Sequence, residues 1–131
     1  MLDVLAAIRA YLADQPGLTA HTGNAGQRIY AGPNLPPEYS PADGAGILLN
    51  IRGGGQDYTS LVLSPSVQFR TYGPTMKAAL AADRALYDVL NDAACWPIKE
   101  ARLETPGQPL TDPETRWPFV LSFYQFYLSN S

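Results

Sequence analysis

The segment from Trp117 to Leu128, WPFVLSFYQFYL, limits the possible folds more than any other part of this chain. Nine of its twelve residues are apolar or aromatic, and none is charged. Side chains alternate along a strand, so one face carries Trp117, Phe119, Leu121, Phe123 and Tyr127 and the other carries Val120, Tyr124, Phe126 and Leu128. A half-exposed antiparallel strand has one apolar and one polar face. This segment therefore predicts a strand that is covered on both sides.

Two other segments have the spacing of amphipathic helices. Residues 2–13 place apolar side chains three and four positions apart behind Asp3, which favours a helix N-terminus. Pro16-Gly17 predicts the end of this helix, and residues 18–26 are polar enough to predict a loop. Residues 76–93 contain no Gly or Pro and follow Thr75, a good N-cap. Their many alanines would let this helix lie close to a sheet.

The remaining apolar segments predict short strands joined by proline-containing loops. The strand candidates are residues 28–31, 47–52, 61–72 and 98–104. Residues 32–46 contain four prolines and residues 105–116 contain three, which predicts stiff, extended loops.

This element order predicts a single α+β domain over residues 1–131. A mostly antiparallel sheet of four to five strands, with two helices packed on one face, satisfies it, because there are too few helices for parallel crossovers. Two helices cover only one face, so the other face needs a partner. We therefore expect a subunit interface at Val120, Tyr124, Phe126 and Leu128. Pro36, Pro37 and Tyr39 would form an arm on a neighbouring subunit, the alternative being a surface connector without that role.

Composition argues against several classes of partner. Charged residues make up 16% of the chain, below the roughly 25% of an average domain, which favours a surface partly covered by other subunits. The net charge is −3 and the nine basic residues are scattered, which argues against a nucleic-acid-binding protein. No apolar run reaches the roughly 20 residues that span a bilayer. The N-terminus begins in an amphipathic pattern without a signal-like region, so we expect synthesis in a cytoplasm.

The chain has no pattern that predicts a catalytic, cofactor or metal site. His21 is the only histidine and lies in a polar segment, so a solvated side chain is the simpler interpretation. Cys95 is the only cysteine, which rules out an internal disulfide, and it is interpreted as a buried structural thiol in preference to a nucleophile. The glycines at 53–55 precede another strand and not a helix, which argues against a phosphate-binding loop.

Asp83 is the unusual residue of the second predicted helix, because it falls within the apolar stripe. A buried carboxylate is costly unless it is paired or hydrogen-bonded. Two interpretations remain open: an exposed position at the edge of the stripe, or an ion pair with Arg28 or Arg70.

The order of these segments resembles that of a known virion protein family. LDVLAAIRAYL and RIYAG precede a proline-rich stretch, ILLNIRGGG, VQFRTYG, TMKAALAADRALYDVL and a closing WPFVLSFYQFYLS. Together they resemble the tail terminator, or tail-completion, proteins of long-tailed bacteriophages, and the resemblance covers nearly the whole chain.

The resemblance implies a structural protein and not an enzyme. Such proteins form a ring, commonly of six subunits, that caps the tail tube at the tail-neck junction of the virion and ends its polymerisation. The implied partners are other copies of the chain, the tail tube protein and a head-tail connector or stopper protein, while DNA passes through the lumen without specific binding. The hairpin residues Gly53, Gly54, Gly55, Gln56, Asp57 and Tyr58 are expected to contact the tube or the connector. The alternatives are another neck component, such as a head-completion stopper, and a small-ligand-binding α+β domain.

Overall fold

A five-stranded sheet carries three α-helices on one face in the computed structural model, which describes residues 2–55 and 61–130. The strands are β1 (Ile29–Ala31), β2 (Gly46–Gly55), β3 (Val62–Tyr72), β4 (Ile98–Thr111) and β5 (Pro118–Ser129). The helices are α1 (Val4–Ala13), α2 (Pro16–Thr22) and α3 (Met76–Leu90).

The sheet has the order β1-β2-β3-β5-β4. Its β1–β2 pair is parallel, and the β2–β3, β3–β5 and β5–β4 pairs are antiparallel. The prediction of an α+β fold with a mostly antiparallel sheet is therefore confirmed. The apolar segment at the end of the chain becomes β5, which lies between β3 and β4 and has no free edge along most of its length.

Local sequence explains where α1 and α3 begin. The Asp3 carboxylate accepts a hydrogen bond from the Ala6 amide at 3.1 Å, and the Thr75 hydroxyl accepts one from the Ala78 amide at 3.1 Å. Such N-caps satisfy amides that lack partners in the first turn. Both helices then bury their apolar stripes, which comprise Val4, Ile8 and Leu12 in α1 and Ala79, Ala82, Leu86 and Leu90 in α3.

The prediction of a loop over residues 18–26 is wrong, because α2 begins at Pro16 and runs to Thr22. Proline lacks an amide hydrogen and has a helical φ, so it ends the preceding helix yet suits the first position of the next one. Leu18 is fully buried and α2 packs against α1 and α3. Burial of this short helix outweighs its polar composition.

The prediction that the fourth strand ends at residue 104 is also wrong, because β4 continues through most of the expected loop to Thr111. Pro106 and Pro109 lie within it, and the register with β5 shifts on both sides of Thr105. Proline is tolerated here because β4 is an edge strand, where one side of the backbone needs no sheet partner.

The helix-covered face of the sheet forms the main hydrophobic core. Val67 and Phe69 of β3 lie beside the even-numbered residues of β5, and the Phe69 and Tyr124 rings meet edge to face with centroids 5.4 Å apart. The residues expected at a subunit interface, Val120, Tyr124, Phe126 and Leu128, belong to this face and are at most 1% exposed. This placement corrects their assignment, because the helices of the same chain already cover them.

Asp83 lies under α3 against the same face of the sheet. The Gly107 backbone of β4 approaches it so closely that a Cβ there would stand 2.6 Å from Asp83 Oδ2. Burial raises the pKa of the Asp83 carboxyl, and the nearby Ser122 hydroxyl offsets part of that rise. Among the described residues, Asp83 Oδ1 and Ser122 Oγ have no hydrogen-bond partner of normal geometry.

Neither expected arginine pairs with Asp83. Arg28 donates to the backbone oxygens of Ala45 and His21, at 2.9 and 3.1 Å. Arg70 pairs in register with Leu121 and so projects from the opposite face of the sheet. The two proposed ion pairs are therefore wrong, and the half-buried Asp83 carboxyl has no cationic partner within residues 2–55 and 61–130.

Candidate interaction surface

The face of the sheet opposite the helices, here called the open face, carries the other half of the β5 side chains. Strand register places these residues in rows across three strands, comprising Leu48, Gln68, Arg70, Tyr72, Phe119, Leu121 and Phe123. Leu48, Tyr72 and Phe119 are buried, Leu121 and Phe123 are half-buried, and Tyr127 is 41% exposed. The helices of the chain cover one side of β5. Whether the other side is also covered therefore depends on the open face.

The proline-rich segment before β2 covers one end of the open face. Tyr39 is buried there, and its ring meets the rings of Tyr30, Tyr72 and Trp117 edge to face at centroid distances of 5.6, 6.4 and 6.0 Å. Edge-to-face contacts of this kind stabilise aromatic clusters beyond simple burial. The Tyr39 hydroxyl donates to the Gly44 carbonyl at 3.0 Å, so the segment is closed on itself.

This arrangement corrects the expected arm. Tyr39 packs against the sheet of its own chain and offers almost no surface to a neighbour. Pro36 is half-buried and Pro37 is exposed, so only these two residues of the expected set retain accessible surface. The aromatic contacts of Tyr39 hold this segment against the sheet of its own chain. The proline content of the segment does not indicate these contacts.

Replacing Gly46 with alanine should destabilise the chain by about 1–3 kcal/mol, because overpacking forces neighbours from their positions. A Cβ at Gly46 would stand 2.7 Å from two Tyr39 ring carbons. Chemical denaturation measures the loss. Gly53→Ala in the same strand is the control, since its Cβ position has no atom within 4 Å among the described residues other than its chain neighbours. Equal stability of the two variants would contradict the packing of Tyr39 on the sheet.

At the other end of the open face, Arg52 lies over the Phe123 ring. The Arg52 guanidinium lies 4.2 Å from the centroid of the Phe123 ring, and its Nη1 is 3.9 Å from Glu104 Oε1. Glu104 also accepts a hydrogen bond from the Ser66 hydroxyl at 2.6 Å. The Arg52 and Glu104 side chains are 52% and 38% exposed, and the Phe123 ring beneath Arg52 is half-buried.

The expected contact hairpin is described in part. Gly53, Gly54 and Gly55 form the end of β2 opposite Ser66, Pro65 and Ser64 of β3. Gly53 is exposed. The remaining residues of the expected contact, Gln56, Asp57 and Tyr58, lie outside the described residues.

The residues considered as candidate catalytic groups, His21 and Cys95, lie in different parts of the fold. His21 lies in α2 and contributes a backbone carbonyl to Arg28, and Cys95 is exposed, so the interpretation of a buried thiol is wrong. Within residues 2–55 and 61–130, no three His, Cys, Asp or Glu side chains are grouped so that they could hold a metal ion. None of the helices in this part of the chain has the length and apolar character required to cross a membrane.

Comparison with known proteins identifies the fold. No protein-family model matches the chain, and no curated protein sequence matches it. A solved structure does match, namely a chain from the virion of a native gene transfer agent particle. The alignment covers 98% of this chain and 99% of that chain, with a TM-score of 0.64 and 14% sequence identity. The two chains therefore share a fold over nearly their whole lengths.

Proposed function

We propose that this chain is a structural, non-enzymatic component of a phage-like virion. The observation that carries the proposal is the end-to-end match, at a TM-score of 0.64, to a chain from a gene transfer agent virion. Coverage of 98% and 99% leaves little of either chain outside the shared fold. A match of this extent supports a similar structural role in a virion better than a shared local motif would.

Within that class, we propose the role of tail terminator at the tail-neck junction. The element order from LDVLAAIRAYL to WPFVLSFYQFYLS supports this role, as does the absence of clustered basic residues in a chain of net charge −3. A ring through which DNA passes should not grip phosphates, and tight binding needs several lysines or arginines together. The ring would cap the tail tube and join it to the head connector.

The subunit contact of this ring is proposed to use the open face. Leu121, Phe123 and Tyr127 combine apolar area with remaining exposure, whereas the even-numbered β5 residues are buried in the core. Interfaces draw their energy from apolar and aromatic side chains that become fully buried on association. The Gly53–Gly55 end of β2 remains the proposed contact with the tube or connector.

Native mass and tube growth test the proposal together. The purified chain has a mass of 14.2 kDa, so a closed ring is expected at a fixed multiple of that value, six for the common ring size. Sedimentation over a concentration series measures it. Added to growing tail tubes, the chain should stop elongation, which electron microscopy of tube lengths would show. Tubes of unchanged length that bind no chain would refute a terminator, and binding to the head connector alone would favour a head-completion stopper.

A further inference from the structure

A cavity of about 310 Å³ opens on the open face between the proline-rich segment and the turn that follows β4. We call it the Arg70 pocket. Its walls combine apolar and aromatic side chains, among them Leu35, Tyr72 and Trp117, with polar ones. The polar lining residues are Asn34, Arg70, Asp112 and Thr115. Cavities of this size and lining commonly hold a ligand that a few polar groups orient.

Arg70 supplies a cation to this pocket, and Asp112 supplies a carboxylate to the same lining. Among the described residues, no carboxylate lies within salt-bridge distance of its guanidinium, and its buried Nε has no hydrogen-bond partner. Its guanidinium carbon lies 5.7 Å from the centroid of the Phe119 ring, and at longer range its charge adds to the backbone hydrogen bonds that lower the pKa of Asp112. Arg70 is half-buried and its Nε lacks a hydrogen-bond acceptor, so the position favours an incoming anion that could accept from it.

Asp112 lines the same pocket but is committed elsewhere. Its Oδ1 accepts hydrogen bonds from the Glu114 and Thr115 amides at 2.8 and 3.1 Å. Those bonds hold the turn after β4 and keep this carboxylate out of salt-bridge range of Arg70. The contrast with Arg52 is direct, because Arg52 on the same face has both a carboxylate and a ring.

We propose that the Arg70 pocket receives an extended segment of a neighbouring virion protein, with an acidic side chain on Arg70 and an adjacent apolar side chain on Trp117 and Tyr72. The source of the segment rests on the function proposed above. A carboxylate suits the planar guanidinium, which can donate two parallel hydrogen bonds to it. A nucleic acid is the poorer candidate, since a backbone of phosphates requires several cations and this pocket has one.

Two short peptides test the proposal on the purified chain. N-acetyl-Leu-Asp-amide is titrated while the Trp117 indole is followed by NMR, and N-acetyl-Leu-Asn-amide is the matched neutral probe. Trp96 provides an internal reference, because it is 69% exposed and lies two residues before Ile98, which pairs with Leu128 at the other end of β5 from Trp117. We expect the Asp peptide to shift the Trp117 signal saturably and to bind at least about tenfold more tightly than the Asn peptide.

Substitutions then assign the effect to one side chain. Arg70→Gln should abolish the preference for the Asp peptide, and Arg70→Lys should retain part of it because the charge remains. Arg52→Gln, which removes an arginine from the same face outside the pocket, should bind like the unchanged chain. Circular dichroism checks folding, and if Arg70→Gln unfolds, partial retention in Arg70→Lys is the deciding result.

Three results would overturn the inference: equal affinity for the two peptides, an Asp preference that survives Arg70→Gln, or tighter binding of inorganic phosphate than of the Asp peptide. Failure of the proposed function is recognised separately. A chain that stops tube growth but shows no preference for the Asp peptide would refute the binding role of the Arg70 pocket and support the terminator role. A chain that prefers the Asp peptide through Arg70 yet neither forms rings nor binds tubes would support the pocket and refute its virion partner.

Discussion

Replacing Phe126 with alanine is expected to lower the free energy of unfolding by about 3–5 kcal/mol, because removing a large core ring leaves a cavity that neighbours fill only in part. The Phe126 side chain is fully buried, and its ring centroid is 6.2 Å from that of Phe69. Urea denaturation followed by circular dichroism measures the loss. The variant should unfold at a lower urea concentration than the unchanged chain. Its loss of stability should therefore account for any effect on assembly.

Phe123→Ala is the matched control, since it removes the same side chain from the open face of the same strand. Phe123 is half-buried beneath Arg52, so the cost in unfolding free energy should be near 1 kcal/mol, about the average for a point substitution. Self-association, measured by sedimentation, should weaken. A Phe126→Ala variant of unchanged stability that fails to assemble would contradict this prediction. It would indicate that the subunit interface lies on the helix-covered face.

Replacing Asp83 with asparagine should raise the free energy of unfolding by about 1–3 kcal/mol at pH 7, because an ionised carboxylate then no longer occupies a site without a cation. Burial raises the pKa of Asp83 above its value in the unfolded chain. The native state therefore holds this proton more tightly, and stability is lost as the pH rises through the native pKa. Below the unfolded pKa, near 4, both states are protonated and the advantage of the variant should shrink.

The pH dependence separates this cause from a packing effect. Urea denaturation at pH 7 and at pH 3.5 gives the difference between the variant and the unchanged chain at each pH. Asp88→Asn is the control on the same helix, because Asp88 is exposed and pairs with Arg84 at 3.1 Å, a surface contact of small energy. A difference for Asp83→Asn that is independent of pH would contradict the assignment.

Sequence patterns predicted the elements whose signals are local. The N-caps at Asp3 and Thr75 and the periodic apolar stripes located α1 and α3 to within a few residues. The patterns failed where a local signal had two interpretations. Pro16 ends α1 and also begins α2, and the prolines of β4 resembled a loop because only an edge strand tolerates them.

The candidate site shows the same division more sharply. The alternation of β3 distinguishes its two faces, with Val67 and Phe69 on one and Gln68 and Arg70 on the other. That signal could have identified the exposed face of β5 only if the pairing of Gln68 with Phe123 were known. The lack of an ion-pair partner for Arg70 likewise depends on which chain segments pack beside it in the folded protein.

What the sequence by itself determined is that both faces of β5 carry apolar side chains, because nine of the twelve residues are apolar or aromatic and none is charged. What only the tertiary structure decided is which face the chain covers for itself. Register sets this choice, since a shift of one residue exchanges the two faces of a strand. With Val67 opposite Tyr124, the helices bury Tyr124, Phe126 and Leu128 and leave Leu121 and Phe123 half-buried on the open face.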